Sequence, residues 1–217
     1  MKLINDPELA ATSFVVLDFE GTTPAGYPPE PIEVAAVGLQ FRDGTWQQTA
    51  RFQALIRPPA HAPVTPADTA QTGITGAMVA DRPAAGEVLG RLDARLANPP
   101  YLLVAHNAPT EAGMIYRYRG ACPTLARIDL LDTVRLARHV LPGLAFGYGL
   151  DALIGYFGIP RPANRHRAVP DVEATIAVFE RLFTAACALS APGNLRGLMN
   201  LAGYEAKAAR PVQESIF

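Results

Sequence analysis

Five side chains in three short segments have the types and spacing for metal-dependent chemistry. They are Asp18 and Glu20 in Asp18-Phe19-Glu20, Glu111 in His106-Asn107-Ala108-Pro109-Thr110-Glu111, and His166 and Asp171 in His166-Arg167-Ala168-Val169-Pro170-Asp171. Four carboxylates and one imidazole are the inventory for two divalent cations and a general base. In a strand, residues i and i+2 face the same way, so Asp18 and Glu20 point together while Phe19 faces the opposite side as core. Paired hard oxygen ligands on a rigid strand suit Mg²⁺ or Mn²⁺. Glu111 falls in the first or second turn of a helix for which Asn107 is a plausible cap and Pro109 a first-turn residue. Asp171 stands in the first turn of a helix opened by Pro170, and His166 lies on the loop before it. A neutral imidazole near pH 7 can take a proton from water. Each segment alone also has a bland reading: solvated acids at a strand end, an acid placed favourably at a helix N-terminus, a structural His106, a capping Asp171. Together, and in this order, they make a metal-dependent phosphodiesterase the leading reading.

These side chains need a scaffold, and the apolar pattern supplies one. Residues 13–19 form an apolar, β-branched run that reads as a buried strand. Residues 32–41 and 47–56 read as a hairpin around Arg42-Asp43-Gly44-Thr45. Prolines make 57–66 irregular, and broken helical pieces follow from 66 to about 98. Residues 101–105 are a second buried strand, 109–120 a helix and 127–130 a short strand. Helices near 132–141, 150–157, 170–189 and 194–201 complete the chain. Strands first, then strands alternating with helices, predict one α/β domain with a mixed sheet covered on both faces. The domain is expected over 1–204, with a polar tail at 205–217.

Composition narrows the classes. The 217 residues are 49% hydrophobic and 18% charged, which favours a packed core and excludes wholesale disorder. Net charge is -1, so nucleic-acid binding must work through metals and local clusters instead of a globally basic surface. Lysine occurs only at Lys2 and Lys207, and the remaining positive charge is arginine. Cys122 and Cys187 have no metal-like spacing and read as free thiols in a reducing cytoplasm. The first thirteen residues lack a signal-peptide pattern, and no apolar run approaches a membrane span, so the expected location is cytoplasmic with no membrane partner.

The three segments resemble the motifs of the DEDDh 3′–5′ exonucleases, the group of the DnaQ-like proofreading subunit of bacterial DNA polymerase III, RNase T and oligoribonuclease. Asp18 and Glu20 match the first motif, His106-Asn107 through Glu111 the second, and His166-x-Ala168-x-x-Asp171 the third. Ile32-Glu33-Val34-Ala35-Ala36-Val37, Thr72-Gly73-Ile74-Thr75, Leu131-Asp132-Thr133 and Gly149-Leu150-Asp151 fit the intervening stretches, and the resemblance covers roughly 13–185. It implies an RNase H-like fold with a five-stranded mixed sheet flanked by helices. It implies two Mg²⁺ or Mn²⁺ held by Asp18, Glu20, Glu111 and Asp171, with His166 as the general base. It implies release of nucleoside 5′-monophosphates from single-stranded 3′ ends. Gly21 and Thr22, with His106 and Asn107, would meet the terminal nucleotide, and Arg165 and Arg167 (with Arg161) are candidate phosphate contacts. Two departures stand out: Glu111 replaces the usual Asp, and Gly21 intervenes before Thr22-Thr23.

The chain ends Gln213-Glu214-Ser215-Ile216-Phe217. This is similar to the short motif by which bacterial replication proteins bind the polymerase sliding clamp. Ile216 and Phe217 would enter an apolar groove, with Gln213 and Ser215 fixing register. The alternative is that the tail folds back and buries Phe217 on its own domain. The expected function is therefore a clamp-tethered 3′–5′ exonuclease of replication or repair, with DNA favoured over RNA. The alternatives are an RNA exonuclease and a non-catalytic nucleic-acid or clamp adaptor whose site has drifted at Glu111.

Overall fold

The computed structural model describes residues 2–162, 165–189 and 192–209. The strands are β1 (Ser13–Gly21), β2 (Pro31–Arg42), β3 (Thr45–Leu55), β4 (Tyr101–Ala105), β5 (Leu130–Asp132) and β6 (Gly203–Tyr204). The helices are α1 (Pro7–Ala11), α2 (Pro66–Thr72), α3 (Gly76–Val79), α4 (Ala85–Asp93), α5 (Ala108–Arg117), α6 (Thr133–Val140), α7 (Leu150–Phe157), α8 (Ala168–Ala188) and α9 (Leu195–Ala202). The sheet order is β3-β2-β1-β4-β5-β6. β1, β4 and β5 are mutually parallel, and β2, β3 and β6 run antiparallel to their neighbours.

The β2–β3 hairpin closes where Asp43 (φ 51°) and Gly44 (φ 78°) take the left-handed conformation that a two-residue turn of this hand requires. β1 is apolar on both faces because helices cover both. Phe14 and Val16 face a core built with α6, α7, α8 and α9, while Val15, Leu17 and Phe19 face a second core with α4 and α5. The alternation carries Asp18 and Glu20 onto the α8 side, at the end of the central strand. The α8 side is anchored by Phe14, Trp46, Phe179 and Phe183, with Phe14 and Trp46 edge to face at 4.9 Å.

The sheet has six strands, not five. The sixth is only two residues, too short to register as a hydrophobic pattern. Gly203 makes the turn into it possible, since a Cβ there would lie 2.3 Å from the Met199 carbonyl oxygen. Arg135 holds β6 from outside, donating to the Gly203 carbonyl at 2.6 Å and lying over the Tyr204 ring. The docked chain also continues past 204: Ala206 is buried and its N–H donates to Asp129 at 2.9 Å. The expected strand at 127–130 sits later, at Leu130–Asp132, with a 3₁₀ turn over Leu125–Arg127. Helix α1, which no sequence pattern predicted, starts where the Asp6 side chain accepts from the Glu8 N–H beside Pro7. Residues 213–217, the clamp-like segment, lie outside the described residues.

Candidate active site

The metal-capable cluster assembles where β1 ends beside the start of α8. One carboxylate oxygen each from Asp18, Glu20 and Asp171 lie within 4.8 Å of one another. Asp18 and Glu20 come from the strand parity, and Asp171 from the first turn of α8. That helix begins at Ala168, two residues before Pro170, because β2 holds its first turn. Glu33 is fully buried on β2, paired in register with Glu20. Its carboxylate accepts from the Ala168 N–H at 3.0 Å and from two nitrogens of Arg167 at 2.8 and 2.9 Å. Burial pushes Glu33 upward, but the hydrogen bonds from Arg167 and Ala168 outweigh it and hold the carboxyl below its ordinary value.

Glu111 enters from the other side, in the first turn of α5. It is buried, and its Oε2 has no hydrogen-bond partner among the described residues. Burial, then the charge of Asp132, pushes its pKa up to about 8. Its charge is the second cause, after burial, that raises Asp18 well above the carboxylate range, with Glu20 third. Glu111 therefore acts on the same centre as Asp18, although it is not one of the three oxygens within 4.8 Å. Glu20 is raised to about 7 by burial and by Glu33. Crowded carboxylates that resist ionisation are what a cation-free acidic centre must show, and divalent cations relieve that repulsion. Three clustered carboxylate oxygens, with an orphaned buried carboxylate whose charge acts on Asp18, fit hard divalent cations of the Mg²⁺ or Mn²⁺ type.

Arg165 is the internal cation of this centre. Its guanidinium bonds Asp171, and its Nε donates to Asp151 on α7 at 2.8 Å. It lowers the carboxyls of Asp18 and Glu20 against their other neighbours. His166 follows in the left-handed region (φ 66°) and is half-buried. It is not one of the clustered metal-capable groups. Arg165 and Arg167, read from sequence as phosphate contacts, are thus both engaged with carboxylates of this chain and brace the His166 backbone from either side.

The remaining sequence candidates occupy the walls. His106 places Nδ1 2.8 Å from the Thr133 hydroxyl, and burial lowers its pKa to about 4, which keeps the ring neutral. Asn107 takes the left-handed conformation (φ 74°) at the helix start, and its amide donates to Thr110 instead of capping α5. Its backbone N–H donates to Asp132 at 3.2 Å, which ties the β4–α5 turn to α6. Gly21 follows a bulge in β1, and a Cβ there would sit 3.0 Å from the Met114 methyl. Thr22 is fully buried and its N–H donates to the Glu30 carbonyl at 2.8 Å, which closes the Gly/Pro loop. Glu33, Asp151 and Asp132 were not singled out from sequence as site residues. For Glu33 the signal was present, a lone acid in the otherwise apolar run Ile32-Glu33-Val34-Ala35-Ala36-Val37.

Known proteins resemble this chain over most of its length. The RNase T family model, described as an exonuclease, matches residues 15–179. A DNA polymerase III subunit epsilon-like protein of Rhodobacter capsulatus is 39% identical over 176 residues, covering 80% of this chain and 24% of that protein. A PolC-type DNA polymerase III of Caldanaerobacter subterraneus is 31% identical over 176 residues, covering 78% of this chain and 11% of that protein. The chain therefore spans a quarter or less of these curated relatives. Among solved structures, Exonuclease X in complex with 5′ overhanging duplex DNA superimposes with a TM-score of 0.62 at 25% identity, covering 85% of this chain and 99% of that one. The nuclease domain of 3′hExo, a DEDDh family member bound to rAMP, gives a TM-score of 0.68 at 18% identity, covering 85% and 96%.

Proposed function

This chain belongs to the RNase T exonuclease family, and we propose that it hydrolyses phosphodiester bonds stepwise from the 3′ end of a nucleic acid strand. The observation that carries the reading is the convergence of Asp18, Glu20 and Asp171 within 4.8 Å, with the charge of the buried, unpartnered Glu111 acting on Asp18. Asp18, Glu20, Glu111 and Asp171 would hold the divalent cations. When bound, those cations supply a nucleophilic water and neutralise charge on the scissile phosphate and leaving oxygen.

The protein's own residues do the rest. His166 accepts the proton of the attacking water from its loop, which the Arg167–Glu33 pair and the Arg165–Asp151 pair hold. Arg165 offsets the charge of the acidic centre through its bond to Asp171, a bond that would have to open for Asp171 to hold a cation. Gly21 and Thr22 shape the floor of the loop next to the terminal nucleotide, and His106 and Asn107 form the wall beside Glu111. The product is a nucleoside 5′-monophosphate.

The replication names of two relatives matched over about four-fifths of this chain support DNA as substrate. The segment Gln213, Ser215, Ile216, Phe217 supports tethering to a polymerase sliding clamp. RNA is the second reading, favoured by the rAMP-bound structural neighbour and by human ERI1 exoribonuclease 3, 39% identical over 82 residues covering 37% of this chain. Incubation with Mg²⁺ or Mn²⁺ and 5′-labelled single strands of DNA and RNA decides. A ladder shortening from the 3′ end on DNA, absent with Asp18→Ala, is expected. Faster shortening of RNA transfers the assignment to RNA. No shortening of either by the wild type removes the enzyme reading.

A further inference from the structure

The outer surface of α5 carries a feature that the catalytic centre does not use. A cavity of about 210 Å³ lies between the C-terminal end of α5, the 3₁₀ turn Leu125–Arg127 and the chain after β6. Arg119, Arg127 and Lys207 line it with Tyr116, and among the described residues no acidic side chain does. In a chain with a net charge of -1, three cations around one cavity are a local exception. Several arginines elsewhere pair with carboxylates, as Arg51 does with Glu173, Arg91 with Glu87 and Arg161 with Asp151, whereas the described groups lining this cavity include three cations and no acid.

The cavity is also pre-formed for an anion. Arg119 lies over the Tyr116 ring at 4.4 Å and donates one N–H to the Tyr116 carbonyl at 3.1 Å, so the planar fork is held before any ligand arrives. Lys207, one of only two lysines in the chain, brings its ammonium over the backbone of Gly113. A Cβ added there would lie 3.4 Å from that nitrogen, at van der Waals contact, which places the ammonium against the outer face of α5. Gly113 is two residues from Glu111 on the same helix and faces outward, about one helix diameter, ~10 Å, from the catalytic face.

From this placement we propose that Arg119, Arg127 and Lys207 form a second phosphate-binding site, which takes the phosphodiester backbone of the substrate several nucleotides from the scissile bond. The proposal rests on the nuclease reading for the identity of the polyanion. An ordered guanidinium and an ammonium sharing one concavity suit successive phosphates, and Tyr116 gives the site an aromatic wall. Such a site holds long substrates and ignores short ones. It reads charge and not base, so its contribution must fall with salt.

The test is the triple variant Arg119→Gln, Arg127→Gln, Lys207→Gln beside the wild type. Binding of 3-nucleotide and 20-nucleotide single strands, and of a 20-base-pair duplex, is measured in EDTA across salt concentrations. Hydrolysis of the 3-nucleotide strand with Mn²⁺ is measured in parallel. The expected result is an affinity for the 20-nucleotide strand at least 10-fold weaker in the variant, with the slope of log K against log salt shallower by roughly 0.7 for each phosphate that the variant no longer neutralises. Binding and hydrolysis of the 3-nucleotide strand are unchanged. A loss seen on the duplex alone assigns the bound phosphates to the complementary strand and overturns the same-strand placement. Equal affinity and slope for every substrate overturns the site. Failure of the wild type to hydrolyse the short strand strikes the nuclease reading instead, and the binding comparison in EDTA still decides the site.

Discussion

Glu111 is one of two departures from the motifs that this sequence resembles, and replacing it by glutamine tests what that departure does. Burial raises its carboxyl from the usual 4.5 to about 8. The folded, metal-free protein therefore binds this proton more tightly than the unfolded chain does. Because the folded-state pKa is the higher one, stability is full below pH 4.5 and declines as pH rises toward 8. At ~1.4 kcal/mol per pH unit, the raised carboxyl costs the fold about 3 kcal/mol at pH 7, where Glu111 still holds its proton and the unfolded chain has lost it, and about 5 kcal/mol at pH 9, where Glu111 is ionised. Glu111→Gln keeps the shape and removes the titration. It leaves the new amide facing the position where Oε2 has no partner, a cost of ~1–3 kcal/mol that does not vary with pH. Net stabilisation at pH 9 is then about 2–4 kcal/mol, on the order of 10 °C in Tm for a chain of this size. Thermal unfolding in EDTA at pH 5, 7 and 9 reads this directly. The variant should gain on the wild type as pH rises, and Mn²⁺ should stabilise the wild type at pH 9 more than the variant. Parallel pH profiles for the two proteins would refute both the buried, unpartnered state of Glu111 and its place in the metal centre.

Three further outcomes follow from the same geometry. His166→Ala should lose ~10²–10⁴-fold in kcat, the usual worth of a positioned base, while Mn²⁺ affinity measured by calorimetry stays unchanged; full activity would remove the base assignment. Glu33→Gln, which leaves Arg167 with a neutral partner, should lower kcat with little change in KM for short strands, and Glu33→Asp should recover part of the loss; an unchanged kcat would show that the loop needs no such brace. Because Glu20 (about 7) and Glu111 (about 8) must both release protons to ligate cations, Mn²⁺ affinity should rise about 10²-fold from pH 6.5 to 8.5, and a flat calorimetric profile would contradict this.

Much of the centre was legible in the sequence because strand and helix periodicities act locally. The period of two fixed Asp18 and Glu20 on one face of β1 and sent Phe19 to the opposite core. Asp43-Gly44 marked the hairpin, and the bounds of β4 and α7 match their apolar runs. What stayed hidden depends on contacts distant in sequence. The start of α8 at Ala168 is set by Glu33, 135 residues away, so Pro170 alone misplaces it. Arg165 and Arg167 read only as candidate phosphate contacts because their partners Asp151 and Glu33 lie on other elements. β6 is too short to carry a pattern, and it exists because β5 offers it an edge.

The central claim is that Asp18, Glu20, Glu111 and Asp171 form one two-cation centre despite the longer fourth ligand. Crystals grown with Mn²⁺ and diffracted at an energy where manganese scatters anomalously test it most directly. Two anomalous peaks about 4 Å apart are expected, the separation typical of two-metal sites, with Asp18, Glu20, Glu111 and Asp171 as ligands and Arg165 withdrawn from Asp171. No peak at these carboxylates, or cations bound with Glu111 unligated and Arg165 still on Asp171, would contradict it.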